Sequence, residues 1–155
     1  MANPPYGMHS ATMCLTVKDS NAAIEFYKKV FDAFEMFRMA GPDGKSIMHA
    51  EVKIGDSIIM LNDEMPQMGC MSPQSVGGAS SGIYLYVNDV DSTLKKASEN
   101  GAKIKMPAMD AFWGDRMANI EDPFGHNWTV ATHIKDMTPE EMAKAGQEWM
   151  KNACK

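Results

Sequence analysis

His49 and Glu51 stand two residues apart in an alternating run, with Met48, Ala50, Val52 and Ile54 interleaved against Ile47, His49, Glu51 and Lys53. On a strand, residues two apart leave the same face about 6.6 Å from each other, so an imidazole and a carboxylate share one surface. Seventy residues further on, Asn119 and Glu121 take the corresponding places. His49, Glu51 and Glu121 on one centre, with His133 or His126 nearby, would suit a divalent metal, and either glutamate could act as a general base. The same groups equally suit ordinary hydrogen bonds and ion pairs on a solvated sheet face. Tyr84, Tyr86, Phe112 and Trp113 offer flat apolar surface of the kind that lines pockets for planar ligands, or that packs a core or a dimer contact. Asp115 and Arg116 read as an ion pair or as a grip on an anionic ligand. Cys14 reads as a small buried apolar residue with no base beside it. His9 reads as an end-of-strand contact, and His126 as part of a turn. GxSxG, P-loop, GxGxxG and HExxH patterns are absent from the sequence.

A chain of 155 residues predicts one domain, large enough to bury a core without disulfides or a structural metal. With 45% hydrophobic and 23% charged residues it has globular composition, which excludes disorder. Fifteen basic against twenty acidic residues give a net charge of −5, which disfavours nucleic acid as a partner. Cys14, Cys70 and Cys154 are odd in number and show no zinc spacing, which fits a reducing compartment. The N-terminal MANPPYGMHS lacks a basic then apolar leader pattern, and no apolar run approaches the roughly 20 residues of a membrane helix. The expectation is a soluble cytoplasmic protein. Sixteen methionines are the compositional excess, a residue that fills irregular cores and lines tolerant binding surfaces.

Self-comparison at an offset of 70 aligns Leu15, Val17 and Asp19 with Leu85, Val87 and Asp89, Ile24 with Leu94, and Gly55 with Gly125. Each half reads β-α-β-β-β. In the first, a strand over 10–17 precedes a helix over 20–32 capped by Asp19 or Ser20. Strands follow over 34–40, 46–54 and 57–62, with Gly41-Pro42-Asp43-Gly44 as a turn. The second half predicts a strand over 82–88, a helix over 90–100 stopped by Asn100-Gly101, and strands over 102–107, 114–121 and 126–132. The stretch 63–81, rich in Gly, Ser, Pro and Met, reads as a linker or loop. Thr138-Pro139-Glu140-Glu141 is a capping box that opens a helix over 139–152.

The stretches AAIEFYKKVF (22–31), MHAEVKIGDSIIML (48–61), FWGDR (112–116) and DPFGHNW (122–128), within two tandem β-α-β-β-β units, resemble the vicinal oxygen chelate superfamily of glyoxalases, bleomycin-resistance proteins and extradiol dioxygenases. The resemblance covers residues 9–133 and is nearest to the small glyoxalase/bleomycin-resistance-like members. It implies an α+β fold: units 9–62 and 82–133 forming curved sheets around a cleft, joined by linker 63–81 and followed by a helical tail over 134–155. It also implies a homodimer. Helix-facing positions would be Met13, Leu15, Val17, Met48, Ala50, Val52, Ile54, Ile83, Leu85 and Val87. Cleft-facing positions would be Thr12, Cys14, Thr16, His49, Glu51, Tyr84, Tyr86, Asn119, Glu121 and Thr129.

Metal-dependent relatives carry His or Glu at four points, which fall here on Thr12, on Ile59 or Met60, on Gly82 and on Thr129. None is a carboxylate or an imidazole, so the resemblance implies no metal at the usual positions and argues against glyoxalase I or extradiol chemistry. The function expected is binding of a small, aromatic or cationic molecule without a cofactor. The ligand would be held among Thr12, Cys14, His49, Tyr84, Tyr86, Phe112, Trp113, Asn119 and Thr129. The alternatives are a lyase, isomerase or dioxygenase using a relocated divalent metal at His49, Glu51 and Glu121 or a glutamate base at Glu51 or Glu121, and a non-catalytic dimerising module.

Overall fold

Leu15 and Val17 alternate with Cys14 and Thr16, and this period of two becomes strand β1 (Met13–Val17), with Leu15 and Val17 buried. The computed structural model describes residues 4–5 and 7–153, so Cys154 lies outside the described residues. After β1, the Asp19 carboxylate accepts the Ala22 N–H at 2.9 Å and starts helix α1 (Ser20–Phe31). The Asp63 carboxylate adds a second anchor, accepting the backbone N–H groups of Ser20 at 2.7 Å and Ile47 at 2.8 Å. Asp32 closes the helix in the left-handed conformation, φ 53°, which aspartate tolerates better than most residues. Strands β2 (Phe34–Ala40), β3 (Ile47–Ile54) and β4 (Ser57–Asp63) complete a four-stranded sheet of order β1-β4-β3-β2. The β1–β4 pair is parallel and the others antiparallel.

The second half repeats this plan. Strand β5 (Gly82–Tyr86), helix α3 (Val90–Glu99) and strands β6 (Lys103–Asp110), β7 (Asp115–Glu121) and β8 (Asn127–His133) give a sheet of order β5-β8-β7-β6. Asp89 caps α3 through Ser92 N–H at 3.1 Å, as Asp19 caps α1. The Thr132 hydroxyl accepts the Val90 N–H at 2.9 Å, so each helix is tied at its first residue to the last strand of its own unit. Gly101 ends α3 at φ +93°, as the Asn-Gly pair predicts. The fold is therefore α+β, two mixed sheets of β-α-β-β-β type plus a C-terminal helix, α4 (Pro139–Ala153). Its capping box is formed: Thr138 N–H donates to Glu141 at 2.8 Å, and Glu141 N–H to the Thr138 hydroxyl at 3.2 Å. No described helix is long and apolar enough to cross a membrane.

The stretch 63–81, read as a linker or loop, carries short structured pieces. It holds a 3-10 turn (Pro66–Met68) and a short helix, α2 (Pro73–Val76), capped by Ser72, whose N–H and hydroxyl both donate to Glu64. Proline at the first position of each turn, a feature that also reads as a helix start, gives these pieces their form. Met13 and Met48, expected against a helix, are 40% and 41% exposed, because they sit at the beginnings of β1 and β3, away from the buried centre of the sheet.

The chain divides into two compact units, residues up to Ser81 with Asp122–His126, and Gly82–Glu121 with the residues from Asn127 onward. The first core is aromatic: Tyr27 stacks on Phe31 at 5.9 Å, and Phe26 meets Phe124 edge-on at 6.1 Å. Asp122, 2% exposed, accepts the Tyr27 hydroxyl at 2.8 Å and the N–H groups of Phe124 and His126 at 2.9 Å each. Burial, with the Asp122 charge behind it, raises the Tyr27 phenol well above its ordinary value, so it remains a donor. In the second unit Trp128, Ile120, Val130, Ala118 and Ala131 are buried with Val90 and Ala97 of α3. Tyr27→Phe leaves a buried carboxylate one donor short, and urea unfolding should show a loss of about 1–3 kcal/mol with the denaturant slope unchanged.

Candidate functional site

On the first sheet the register gathers one polar face. Cys14 pairs with Met60, Met60 with Glu51, and Glu51 with Phe37. Thus Met60, rather than the buried Ile59, shares the face of Glu51. The His49 ring meets Glu51 at 3.2 Å and lies 6.2 Å from the Phe37 ring. The exposed Cys14 thiol donates to Asn62 at 3.6 Å, and Asn62 donates to Thr16 at 3.2 Å. Burial of the thiol group and the neighbouring Cys70 raise the Cys14 pKa, the reverse of what activates a nucleophile. Thr12 precedes β1 and donates to the His9 carbonyl at 2.9 Å. His126 reaches the Thr16 carbonyl at 3.1 Å through its ring, while its backbone serves the Asp122 turn.

On the second sheet Tyr84, Thr129 and Asn119 form one row, and Thr129 donates to Asn119 at 2.8 Å. Glu121 is taken by Lys103 at 2.9 Å and Lys105 at 3.2 Å. Hydrogen bonds from these lysines hold its carboxyl below the ordinary value, which weakens it as a base. Gly82 pairs with Asn127 and presents no side chain. Among the described residues, no group of three or more His, Cys, Asp or Glu is placed to hold a metal ion.

The densest constellation centres on Asp115, 2% exposed. One carboxylate oxygen, Oδ2, accepts three donors: Tyr84 hydroxyl at 2.8 Å, Tyr86 hydroxyl at 3.1 Å and Trp113 Nε1 at 3.1 Å. The other, Oδ1, takes His133 Nδ1 at 2.8 Å, and His133 Nε2 faces Asp136 at 2.9 Å. Burial raises the Asp115 pKa, but hydrogen bonds from His133, the two tyrosines and Trp113 outweigh it, and the net shift is downward. Desolvation of the hydroxyl beside this charge pushes Tyr84 up to about 12. The Tyr84 and Tyr86 rings lie 5.3 Å apart and are 45% and 61% exposed, so the hydroxyls are pinned while the rings stay open. Phe112 is engaged differently. It packs edge-on to Trp113 at 4.9 Å and lies 5.9 Å from Trp149 of α4, where a Cβ on Gly146 would come within 3.1 Å of its ring. A larger residue at 146 would therefore push α4 off Phe112.

Sequence reading missed Asp115 and His133 as a pair, expecting Asp115 with Arg116. Arg116 instead bonds Asp91 at 2.8 and 2.9 Å and Asp110 at 2.8 Å, because adjacent strand residues leave opposite faces. The missed signal was in the β7–β8 hairpin. With Glu121 opposite Asn127, stepping back along both strands sets Asp115 opposite His133.

Two β-α-β-β-β units of identical strand order, with polar rows on each sheet, define the vicinal oxygen chelate class. The chain belongs to the glyoxalase/bleomycin resistance protein/dioxygenase superfamily, whose family model matches residues 8–130. Uncharacterized proteins of Mycobacterium bovis and Mycobacterium tuberculosis are each 41% identical over 134 residues, 84% of this chain and 88% and 78% of theirs. TioX from Micromonospora shares 26% identity at TM-score 0.60, covering 81% of this chain and all of its own. The fosfomycin resistance protein FosX from Listeria monocytogenes, 18% identical at TM-score 0.61 over 86% of this chain and 97% of its own, shares the fold.

His133 is held by Asp115 first and Asp136 second, which raises its pKa above 6.5. The folded state therefore binds this proton more tightly than the unfolded chain, so its stabilisation is complete below pH 6.5 and fades as pH rises through the raised value. Asp115, shifted down, contributes above 3.8 and loses that contribution in acid. Thermal unfolding across pH should show Tm falling on the alkaline side of this window, and His133→Gln should flatten that limb.

Proposed function

We propose that this protein binds a small organic molecule, aromatic or cationic, against the open Tyr84 and Tyr86 rings and Trp113 on the face of its second sheet, without a cofactor. The observation that carries this reading is the Asp115 hub. A buried carboxylate with four donors from three stretches of the chain fixes two exposed aromatic side chains, a cost in buried charge that core packing does not require. The donor set at the four usual metal positions supports it from the other side. Thr12, Met60, Gly82 and Thr129 offer hydroxyls, a thioether and a hydrogen, a poor match to a divalent ion that takes carboxylate and imidazole. The enzyme reading has less support, since Glu121 is ion-paired to two lysines and Glu51 is hydrogen-bonded to His49.

A second copy of the chain is the partner this reading implies. Strand β2 is an edge strand whose Phe34, Met36, Phe37 and Met39 are 69%, 46%, 48% and 40% exposed, and such an edge calls for a cover. Light scattering at micromolar concentration should give a dimer mass, and Phe34→Lys with Phe37→Lys should give a monomer.

Thermal shift against a panel of aromatic and cationic compounds should find ligands that raise Tm, and Trp113→Ala should abolish the shift. Added Zn, Ni, Mn or Fe(II) should leave Tm unchanged. A panel without hits, or metal-dependent stabilisation lost in Glu51→Gln, would overturn the reading.

A further inference from the structure

The two oxygens of Asp115 are used unequally. Oδ2 is shared by Tyr84, Tyr86 and Trp113, all of which are neutral donors. Oδ1 is held by His133, which alone among these four can carry a positive charge, with each ring nitrogen facing a carboxylate, and whose side chain is half exposed, at 50%. When protonated, its ring is a flat organic cation on a buried carboxylate whose other oxygen is bonded by two largely exposed tyrosines. Its outer nitrogen is held by Asp136, whose carboxylate is fully exposed, so this latch is screened by solvent and weak.

We propose that His133 is a built-in stand-in for the ligand: an organic cation bearing a primary ammonium or amidinium group on an aromatic body takes the place of the imidazolium at Asp115 Oδ1. This deepens the binding reading above and rests on it. Exchange of one cation for another keeps the buried carboxylate compensated throughout. A neutral molecule entering the same place would leave that carboxylate without its counter-ion, which is a severe cost in a buried setting. Tyr84 and Tyr86 bring two aromatic rings to the other oxygen of the same carboxylate, and hydrogen bonding of their hydroxyls to it makes both rings more electron-rich, which favours a nearby cation. The displaced imidazole is not stranded, because Asp136 remains beside it at the surface.

A consequence is competition between the ligand and a proton. The titratable groups facing His133 are Asp115 from β7, Tyr84 and Tyr86 of β5 next to that carboxylate, and Asp136 from the segment after β8. Asp115 is shifted down and the Tyr84 and Tyr86 phenols up, away from neutrality, whereas His133 is shifted up from 6.5 toward it. Loss of its proton weakens its hold on Asp115 and favours the ligand. The affinity for an organic cation should therefore rise with pH by up to about tenfold per unit below the His133 pKa and level off above it.

The test is calorimetric titration of the full chain with benzylamine, as its ammonium ion, and with benzyl alcohol as the neutral counterpart, at about pH 6 and about pH 8. The expected result is one-to-one binding of benzylammonium that is tighter at the higher pH by several-fold or more, with benzyl alcohol much weaker at both. His133→Asn should tighten benzylammonium at the lower pH and remove the pH dependence. Asp136→Asn, which leaves Asp115 and His133 in place, should shift the same curve toward lower pH. It keeps the test meaningful if the His133 variant unfolds. Equal binding of the two probes, a pH-independent ammonium affinity, or absence of binding by benzylammonium overturns the proposal. Equal binding leaves the ligand face standing and removes its cationic class, whereas failure of the whole compound panel removes the face itself.

Discussion

A carboxylate taken out of water must find donors on every side, and this chain takes two, Asp115 and Asp122, down to 2% exposure. Each becomes a knot into which separated stretches are tied. In the first unit Asp122 draws together the hydroxyl of Tyr27 on α1 and the backbone of its own turn, 95 residues away in sequence. In the second, Asp115 draws together β5, β8 and the turn before β7. The donors around them cannot be exchanged for apolar groups without leaving buried carboxylate oxygens unpaired. Packing alone tolerates substitution far more readily.

The two knots serve different ends. Around Asp122 the carboxylate and the Tyr27 phenol are buried, the donors include one phenol and two backbone amides, and Phe26, Phe31 and Phe124 surround the Tyr27 ring. That is an arrangement for holding a turn. Gly125 shows the tightness of the fit: at φ +90° a Cβ there would come within 3.1 Å of Pro73. Around Asp115 the tyrosine hydroxyls are bonded to the carboxylate while Tyr84 and Tyr86 stay largely exposed, and a half-exposed histidine holds the other oxygen. That is an arrangement for presenting a surface, with the carboxylate as its fixed point.

The repeat explains what the halves share and where they part. Each helix starts from an aspartate cap after the first strand and is tied by its first N–H to a side chain on the last strand, Asp63 in one unit and Thr132 in the other. The sheets have the same order and the same pattern of parallel and antiparallel pairs. The halves diverge on their polar faces. His49 beside Glu51 in the first unit corresponds to Asn119 and Glu121 in the second, where two lysines take up the carboxylate.

The sequence by itself determined the plan: two β-α-β-β-β units, their caps, the C-terminal helix, the mostly buried stripe of Leu15, Val17, Ala50, Val52 and Ile54, and the superfamily. Those features rest on local rules, because alternation, capping and turn chemistry act within a few residues of one another. Tertiary structure decided the partners. Arg116 left Asp115 for Asp91 and Asp110, Glu121 went to Lys103 and Lys105, Phe112 went under α4, and Asp115 collected Tyr84, Tyr86, Trp113 and His133. Hydrogen bonding across a sheet depends on register, and a shift of one residue sends every side chain to the other face. That register is set by hairpin geometry and by burial of the whole sheet face at once, so composition and spacing along one strand do not specify which carboxylate meets which donor.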